Sequence, residues 1–420
     1  MALEEIDVFI QIAGEDVFAG RLWPHRRQRA ESGTFSYSPS YLARKDAYAL
    51  DPALPLVSGQ SQTPLGRAIF GSFSDCAPDR WGRMLIQRRA GRGRGSGAEE
   101  GFGEIDFLLG VRDDLRQGAL RFRDPESQTF LANEASGIPN LVNLPELLNL
   151  ADRAERDVAT EDELEILLKG GSSLGGARPK AHVLDRLGRI AIAKFPRPQG
   201  DDWDVVAWEA VALRLAREAG IRVADSNLME VEGRSVLVVD RFDRHQDGRI
   251  GYVSAMTLLE AVDGEQRTYL DLVEVVEEDS DRPTEDLREL WRRIAFSRLI
   301  SNTDDHLRNH GFLRVTTGGW ALSPAFDLNP NPEPSAKRFA TAIDQGSEGE
   351  GLGKLLEVAE FFRLNGREAK AAIAEVSEAT SRWREAAQRE GIDAASIRQM
   401  EPAFEHRAAD LAQKIATVAS

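Results

Sequence analysis

Three features of the sequence predict an α+β fold. Apolar residues alternate at period two near the start, a loop–hairpin–helix–hairpin order occupies the middle, and helical patterns dominate the remainder. They divide the 420 residues into a β-rich subdomain at 1–125, a small lobe at 126–245 and a helical lobe at 246–420.

The first element is a hairpin. Ile6, Val8, Ile10 and Ile12 alternate with other residues, and Gly14-Glu15-Asp16 predicts a turn before a second strand, Val17 to Trp23. Short strands are expected at Phe35 to Tyr37 and Ala119 to Phe122, with helical patches over 65–89 interrupted by Gly71 and Pro78, and a helical run over 104–109. Helices are predicted at 144–156 and 161–168. A glycine-rich loop then precedes strands at 180–184 and 190–195, a helix at 205–219 and paired strands at 228–231 and 235–239 joined by Glu232-Gly233. That order resembles the small lobe of a kinase rather than a doubly wound sheet. A helix over 285–300 is apolar nearly all round in its last turns, which predicts burial. Amphipathic helices follow in the last seventy residues.

Composition narrows the function classes. A formal charge of −16 removes any whole-molecule attraction to nucleic acid or to an anionic membrane. One cysteine, Cys76, excludes an intramolecular disulfide framework and a cysteine-based zinc cluster, and fits a reducing compartment. The start lacks a basic region before its apolar run, and no apolar stretch reaches the ~20 residues of a bilayer span. A cytoplasmic protein without membrane attachment is therefore expected. Of 53 cationic residues only eight are lysines, so a lysine in an unusual place invites a chemical reason.

The strongest chemical signature lies in SNTDDHLRN (301–309) and SPAFDLNP (323–330). Asp304 precedes Asn309 by five residues, the D-x-x-x-x-N spacing of the base and the metal-binding amide in a kinase catalytic loop; Asp305 would give four, so Asp304 is preferred. Phosphoryl transfer also needs a second carboxylate on the same metal. Asp327 supplies it if the hairpin over 311–322 returns the chain to the first loop. His306, two residues after the proposed base, is placed to touch the transferred phosphate. Plainer readings are turn formers and helix caps, or metal binding without kinase chemistry.

In the glycine-rich loop, Ser172, Ser173, Gly175 and Gly176 precede a strand, so backbone N–H groups can approach nucleotide phosphates without obstruction. The loop matches neither Walker A nor G-x-G-x-x-G, and a simple hairpin connection is its plainer reading. Lys194 interrupts the apolar strand IAIAKFP, where a kinase places the ammonium that pairs the phosphates; a strand-end lysine reaching solvent is the alternative. Glu209 in the following helix is its candidate partner and Glu218 the rival. Residues 80–94 carry six arginines and no acid, either a contact for an acidic partner or a solvated helix end.

FGSFSDCAPDRWGRMLI, SSLGGARPKAHV, IAIAKFP, VVDRFDR, ISNTDDHLRNHGFL and LSPAFDLNP together resemble the HipA family, the serine/threonine-kinase toxins of bacterial toxin–antitoxin modules. The resemblance implies a bilobal protein-kinase-like fold with an N-terminal β-rich subdomain, using ATP and Mg2+. It matches Asp304 to the base, Asn309 and Asp327 to the metal ligands, and Lys194 to the phosphate-pairing lysine. The nucleotide loop becomes Gly175, Gly176, Ala177, Arg178, Pro179 and Lys180, with adenine recognition at Asp240, Arg241 and Phe242. His306 would also contact the nucleotide. Ser173 matches an autophosphorylated serine, with Ser172 beside it, and a phosphoserine there would exclude the ATP phosphates. The implied substrate is an aminoacyl-tRNA synthetase, best known as glutamyl-tRNA synthetase, whose phosphorylation arrests growth. The implied partner is a HipB-like helix-turn-helix antitoxin, which would carry the chain to operator DNA. A small-molecule kinase, or a catalytically silent antitoxin-binding corepressor, would use the same loops. Phe326 precedes Asp327 where a eukaryotic kinase has Phe-Gly after the aspartate, so a flip of that motif is not expected.

Overall fold

The computed structural model describes residues 3–27, 30–93, 102–132, 137–171, 176, 178–245, 248–316, 318–333, 337–347, 349 and 351–419. The chain divides into two compact units: Met1–Gln199 with Asp240–Glu260 and Leu313–Thr317, and Gly200–Val239 with Ala261–Phe312 and Gly318–Ser420.

The first unit opens on an antiparallel sheet of β1 (Ile6–Ile12), β2 (Glu15–Arg27), β3 (Ala30–Tyr37), β4 (Ser61–Gln62) and β5 (Leu120–Arg123), in the order β4-β3-β2-β1-β5. The opening turn falls at Ala13-Gly14, one place earlier than the sequence predicts. Both residues have positive φ (49° and 83°), as the right-handed twist of a two-residue hairpin demands. Ile6, Val8, Ile10, Leu22, Phe35 and Phe122 are buried, and Phe73 packs edge-on to both Phe35 and Phe122. Each such side chain contributes roughly 1.5–3 kcal/mol. Phe73 lies on α2 (Gly71–Asp75), which follows α1 (Pro39–Leu42) and precedes α3 (Arg80–Gly93). Gly71 does not interrupt a helix but starts one, and a Cβ there would come within 2.8 Å of Thr257 Cγ2.

Further along lie α4 (Glu104–Gly110), α5 (Leu144–Glu155) and α6 (Glu161–Lys169); a Thr160–Glu163 capping box starts α6. Then come the hairpin β6 (Lys180–Leu184) and β7 (Ile190–Lys194), and the later pieces β10 (Arg244–His245), β11 (Gly248–Arg249), β12 (Gly251–Ser254) and α8 (Ala255–Leu258). The arginine-rich stretch is partly structural: Arg83 forks onto Glu104, while Arg88 and Arg89 face Asp157 and Glu165 at 3.4 and 3.8 Å.

A buried ion cluster ties this unit together. Asp243 accepts from Arg241, from Arg244 and from the Gly118 N–H. Burial alone would raise its carboxyl, but the two guanidiniums outweigh that and hold it well below the carboxylate range. The Arg241 guanidinium also donates to the Leu115 and Arg116 carbonyls.

The second unit contains α7 (Val205–Glu218) and the hairpin β8 (Ser226–Val231) and β9 (Arg234–Asp240), joined at Glu232-Gly233 as the sequence predicts, with positive φ at both turn residues. Next are α9 (Tyr269–Asp279), α10 (Pro283–Leu299), β13 (Gly311–Arg314), whose last two residues belong to the first unit, and β14 (Ala321–Leu322). The end is helical: α11 (Leu352–Glu357), α12 (Gly366–Ser381), α13 (Trp383–Arg389), α14 (Ala394–Phe404) and α15 (Arg407–Ala419). Trp383 stacks on Phe404 at 4.8 Å, with the buried Trp208 of α7 6.1 Å from each. The expected α+β composition is therefore present, with helices concentrated toward the end. Among the described residues no helix is long and apolar enough to cross a membrane.

Candidate active site

Helix α10 delivers the chain to the first loop. Leu287, Leu290, Trp291, Ile294, Phe296 and Leu299 are buried along it, as predicted. It ends in a left-handed cap: Ser301 has φ 54°, and the Asn302 N–H donates to the Ser297 carbonyl at 2.8 Å. Glycine usually occupies that position. Ser301 is fully buried, and its hydroxyl donates to the Ala403 carbonyl at 2.9 Å.

The two aspartates that follow diverge. Asp304 is exposed, and its backbone carbonyl accepts from the His306 N–H at 2.9 Å and from Asn309 Nδ2 at 3.1 Å. These bonds fix the base candidate and the amide candidate to each other. Asp305 points inward, accepting from the Tyr269 hydroxyl at 2.5 Å and the Ser297 hydroxyl at 3.0 Å, with His310 Nε2 at 3.1 Å. Burial would raise the Asp305 carboxyl, yet His310 and the two hydroxyls prevail and hold it down at about 2. Tyr269 is driven well above its ordinary value by burial and by that same carboxylate. Asp305 is thus an anchor under the loop, leaving Asp304 on the surface.

The chain does return beside this loop. Ser323 N–H donates to the Gly311 carbonyl at 2.8 Å, and Ala325 N–H to the Arg222 carbonyl at 2.7 Å. Asn329 N–H then reaches Asn302 Oδ1 at 3.4 Å, and Asn331 Nδ2 donates to Thr303 Oγ1 at 2.9 Å. Asp327 lies on this returning segment, half-buried and left-handed at φ 54°. Each of the two loops thus carries one non-glycine residue in the left-handed region, Ser301 and Asp327. His306 Nδ1 and Asn302 Nδ2 are buried without hydrogen-bond partners among the described residues.

The donor set suits Mg2+. Asn309 is oriented by its Nδ2 bond, which leaves its amide oxygen as an available hard donor, and Asp327 adds a carboxylate. Among the described residues no cluster of three or more His, Cys, Asp or Glu that could hold a metal ion forms.

The predicted nucleotide-binding residues from Gly175 to Lys194 and from Asp240 to Phe242 belong to the first unit. Ser172, Ser173, Gly175 and Ala177 lie outside the described residues. Gly176 has φ 117°, Arg178 is half-buried, and the Pro179 carbonyl accepts from the Phe195 N–H at 2.9 Å. Lys180 and Lys194 pair across β6 and β7; Lys194 is half-buried, while Lys180 forms a buried ion pair with Asp79 at 2.7 Å. Asp240 pairs with Arg189 at 3.1 Å, and Phe242 faces Tyr252. The Arg241 guanidinium is committed to Asp243 and the Leu115 carbonyl, so its side chain is not placed for the nucleotide contact the sequence suggested. In the second unit Glu209 is buried on α7, whereas Glu218 faces Arg382 and Arg389.

The glycine-rich segment is entered through a tight clamp. His182 N–H and Nδ1 both contact the Gly170 carbonyl, at 2.6 and 2.8 Å, and His182 Nε2 receives Arg241 at 3.1 Å. Burial and the Arg241 charge push the imidazole well down, so it is neutral with its proton on Nδ1. Gly171 has φ 79°, and a Cβ there would lie 2.6 Å from both His182 Nδ1 and Leu115 Cδ1. Gly171→Ala is expected to lower the unfolding free energy by about 1–3 kcal/mol, measured by urea titration.

Sequence reasoning missed the left-handed Ser301 cap and the two asparagine ties. Only Ser301 carries a local signal, a non-glycine residue where a helix end calls for glycine.

Residues 172–383, about half of the chain, match the family model of the HipA-like C-terminal domain. The chain is 30% identical over 317 residues to "Putative kinase Y4mE" of Sinorhizobium fredii, covering 70% of this chain and 71% of that protein. It is 31% identical over 180 residues to the toxin YjjJ of Escherichia coli K12, spanning only 38% of the length of each. In fold it is similar to HipA of Shewanella oneidensis MR-1, solved with HipB and its operator DNA, at a TM-score of 0.66 and 17% identity over 99% of this chain and 96% of that one. From the family model and the relative matched over most of its length, this chain belongs to the HipA-like family.

Proposed function

We propose that the chain is an ATP-dependent serine/threonine protein kinase acting as the toxin of a toxin–antitoxin pair. The observation that carries this reading is the pairing of Asp304 and Asn309 within one rigid loop, to which the Asp327 segment is tied through Asn302 and Thr303. In the proposed reaction the exposed Asp304 carboxylate orients the target hydroxyl and takes its proton during in-line transfer. His306, two residues after Asp304, is the proposed contact to the transferred phosphate, and Lys194 and the glycine-rich segment are proposed to hold ATP. Asn309 and Asp327 are the residues that would hold Mg2+, whose role when bound is to neutralise phosphate charge.

A HipB-like antitoxin is the proposed partner, supported by the composition of the Shewanella complex, and would bring the chain to operator DNA. An aminoacyl-tRNA synthetase is the proposed target and Ser173 the proposed autophosphorylation site. The test is incubation with ATP and cell extract, followed by phosphopeptide mass spectrometry. New phosphoserine or phosphothreonine on a synthetase is the expected result. ATP binding without any transfer would reject the kinase and favour the silent corepressor, and phosphate on a metabolite alone would favour a small-molecule kinase. Phosphate on the chain itself, but never at Ser173, would reject that site.

A further inference from the structure

The last four carbonyls of a helix have no partner within it. At the end of α14 two of these are taken by residues that flank the candidate active site. Ala403 O receives the Ser301 hydroxyl at 2.9 Å, and Pro402 O receives Lys337 Nζ at 2.9 Å. Lys337 Nζ also donates to the Asn331 carbonyl at 3.0 Å. A cation at a helix C-terminus is favoured by the helix dipole.

The connection continues inward. Asn331 holds Thr303 through its side chain, and the Thr303 carbonyl receives the Ala340 N–H at 2.9 Å. Thr303 immediately precedes Asp304. The end of α14 is a firm base for such a tie, because Met400 and Ala403 are fully buried and Phe404 stacks on Trp383. On the other side, His406 Nε2 lies 3.1 Å from the Leu299 carbonyl at the end of α10.

We propose that Lys337 is a positioning residue for phosphoryl transfer, holding the Asp304 loop against the C-terminus of α14 through Asn331 and Thr303. The inference rests on the kinase reading above. Lys337 touches neither Asp304 nor Asn309 in the bonds described, so it acts on the rate through the placement of the loop. It is one of eight lysines in the chain, and it spans two backbone carbonyls from separate segments.

Lys337→Met keeps the aliphatic stem and removes the donors. It is expected to lower kcat for ATP-dependent transfer to extract protein by about ten- to a hundredfold, with KM for ATP within about twofold of wild type. Lys337→Arg, which retains charge and donors, is expected to stay near the wild-type kcat. Amide hydrogen exchange across 302–309, measured without nucleotide, should quicken in Lys337→Met. Wild-type kcat in Lys337→Met, or unchanged exchange across 302–309, overturns the proposal. If wild-type protein transfers no phosphate, the kinase reading fails by itself, and the exchange arm still decides whether Lys337 holds the loop. Should Lys337→Met not fold, Asn331→Ala breaks the same path without touching α14; undiminished kcat there overturns the proposal equally.

Discussion

Asp304→Asn is expected to lower ATP-dependent phosphoryl transfer by about 10²- to 10⁴-fold, the contribution of a positioned general base. The same variant should unfold at the wild-type midpoint. The Asp304 side chain is exposed, and the loop is held by its backbone carbonyl, which the substitution leaves in place. The measurement is the time course of phosphopeptide formation in extract, with thermal unfolding as the control. Labelling at the wild-type rate would remove Asp304 from the base role.

Asp305→Ala is expected to do the opposite, acting on stability before activity. Its carboxylate is buried against His310 and the Tyr269 and Ser297 hydroxyls. Truncation strands all three groups in the core, a loss of about 3–5 kcal/mol by analogy with other broken buried pairs. Asp305→Asn keeps an acceptor for both hydroxyls and should lose less, about 1–3 kcal/mol. Urea titration orders the three proteins. The pH dependence has a definite sign. The folded Asp305 carboxyl is held at about 2 against about 3.9 in an unfolded chain, so its contribution is complete above the unfolded value and fades as pH falls toward the folded one. Asp305→Asn should lack that part of the acid-induced loss; an identical decline between about pH 5 and 2 in both proteins would contradict the assignment.

The contrast between these neighbours shows what the sequence could tell. A five-residue spacing separates Asp304 from Asp305 as a base candidate, but nothing local announces that Asp305 meets Tyr269, thirty-six positions earlier. The hairpins were legible because alternation and paired turn residues are local properties, as at Glu232-Gly233. Helix α10 was legible because its apolar positions repeat at helical spacing. Helix α9 drew no prediction. Its Val273, Val275 and Val276 are β-branched, and its start depends on Thr268 capping through Asp271. Long-range charge pairs were opaque for the same reason as Asp305. Lys180 looks like part of a nucleotide loop from its neighbours, and its Asp79 partner is 101 residues away. Arg241 looks like a hinge residue, and its guanidinium is bound to carbonyls some 125 positions distant.

The two units are threaded through one another along the chain, and this has a bearing on synthesis and on dissection. The first unit is not complete until Leu313–Thr317 has been made, after α7, α9 and α10 of the second unit have already been synthesised. No single cut separates the units into contiguous fragments, so a truncation series will report lost assembly rather than domain function. A ribosome-bound chain stopped before residue 240 would carry His182, Arg116 and Leu115 without Arg241 and Asp243, and its hydrogen-exchange pattern around Gly170 should remain open until those residues are added.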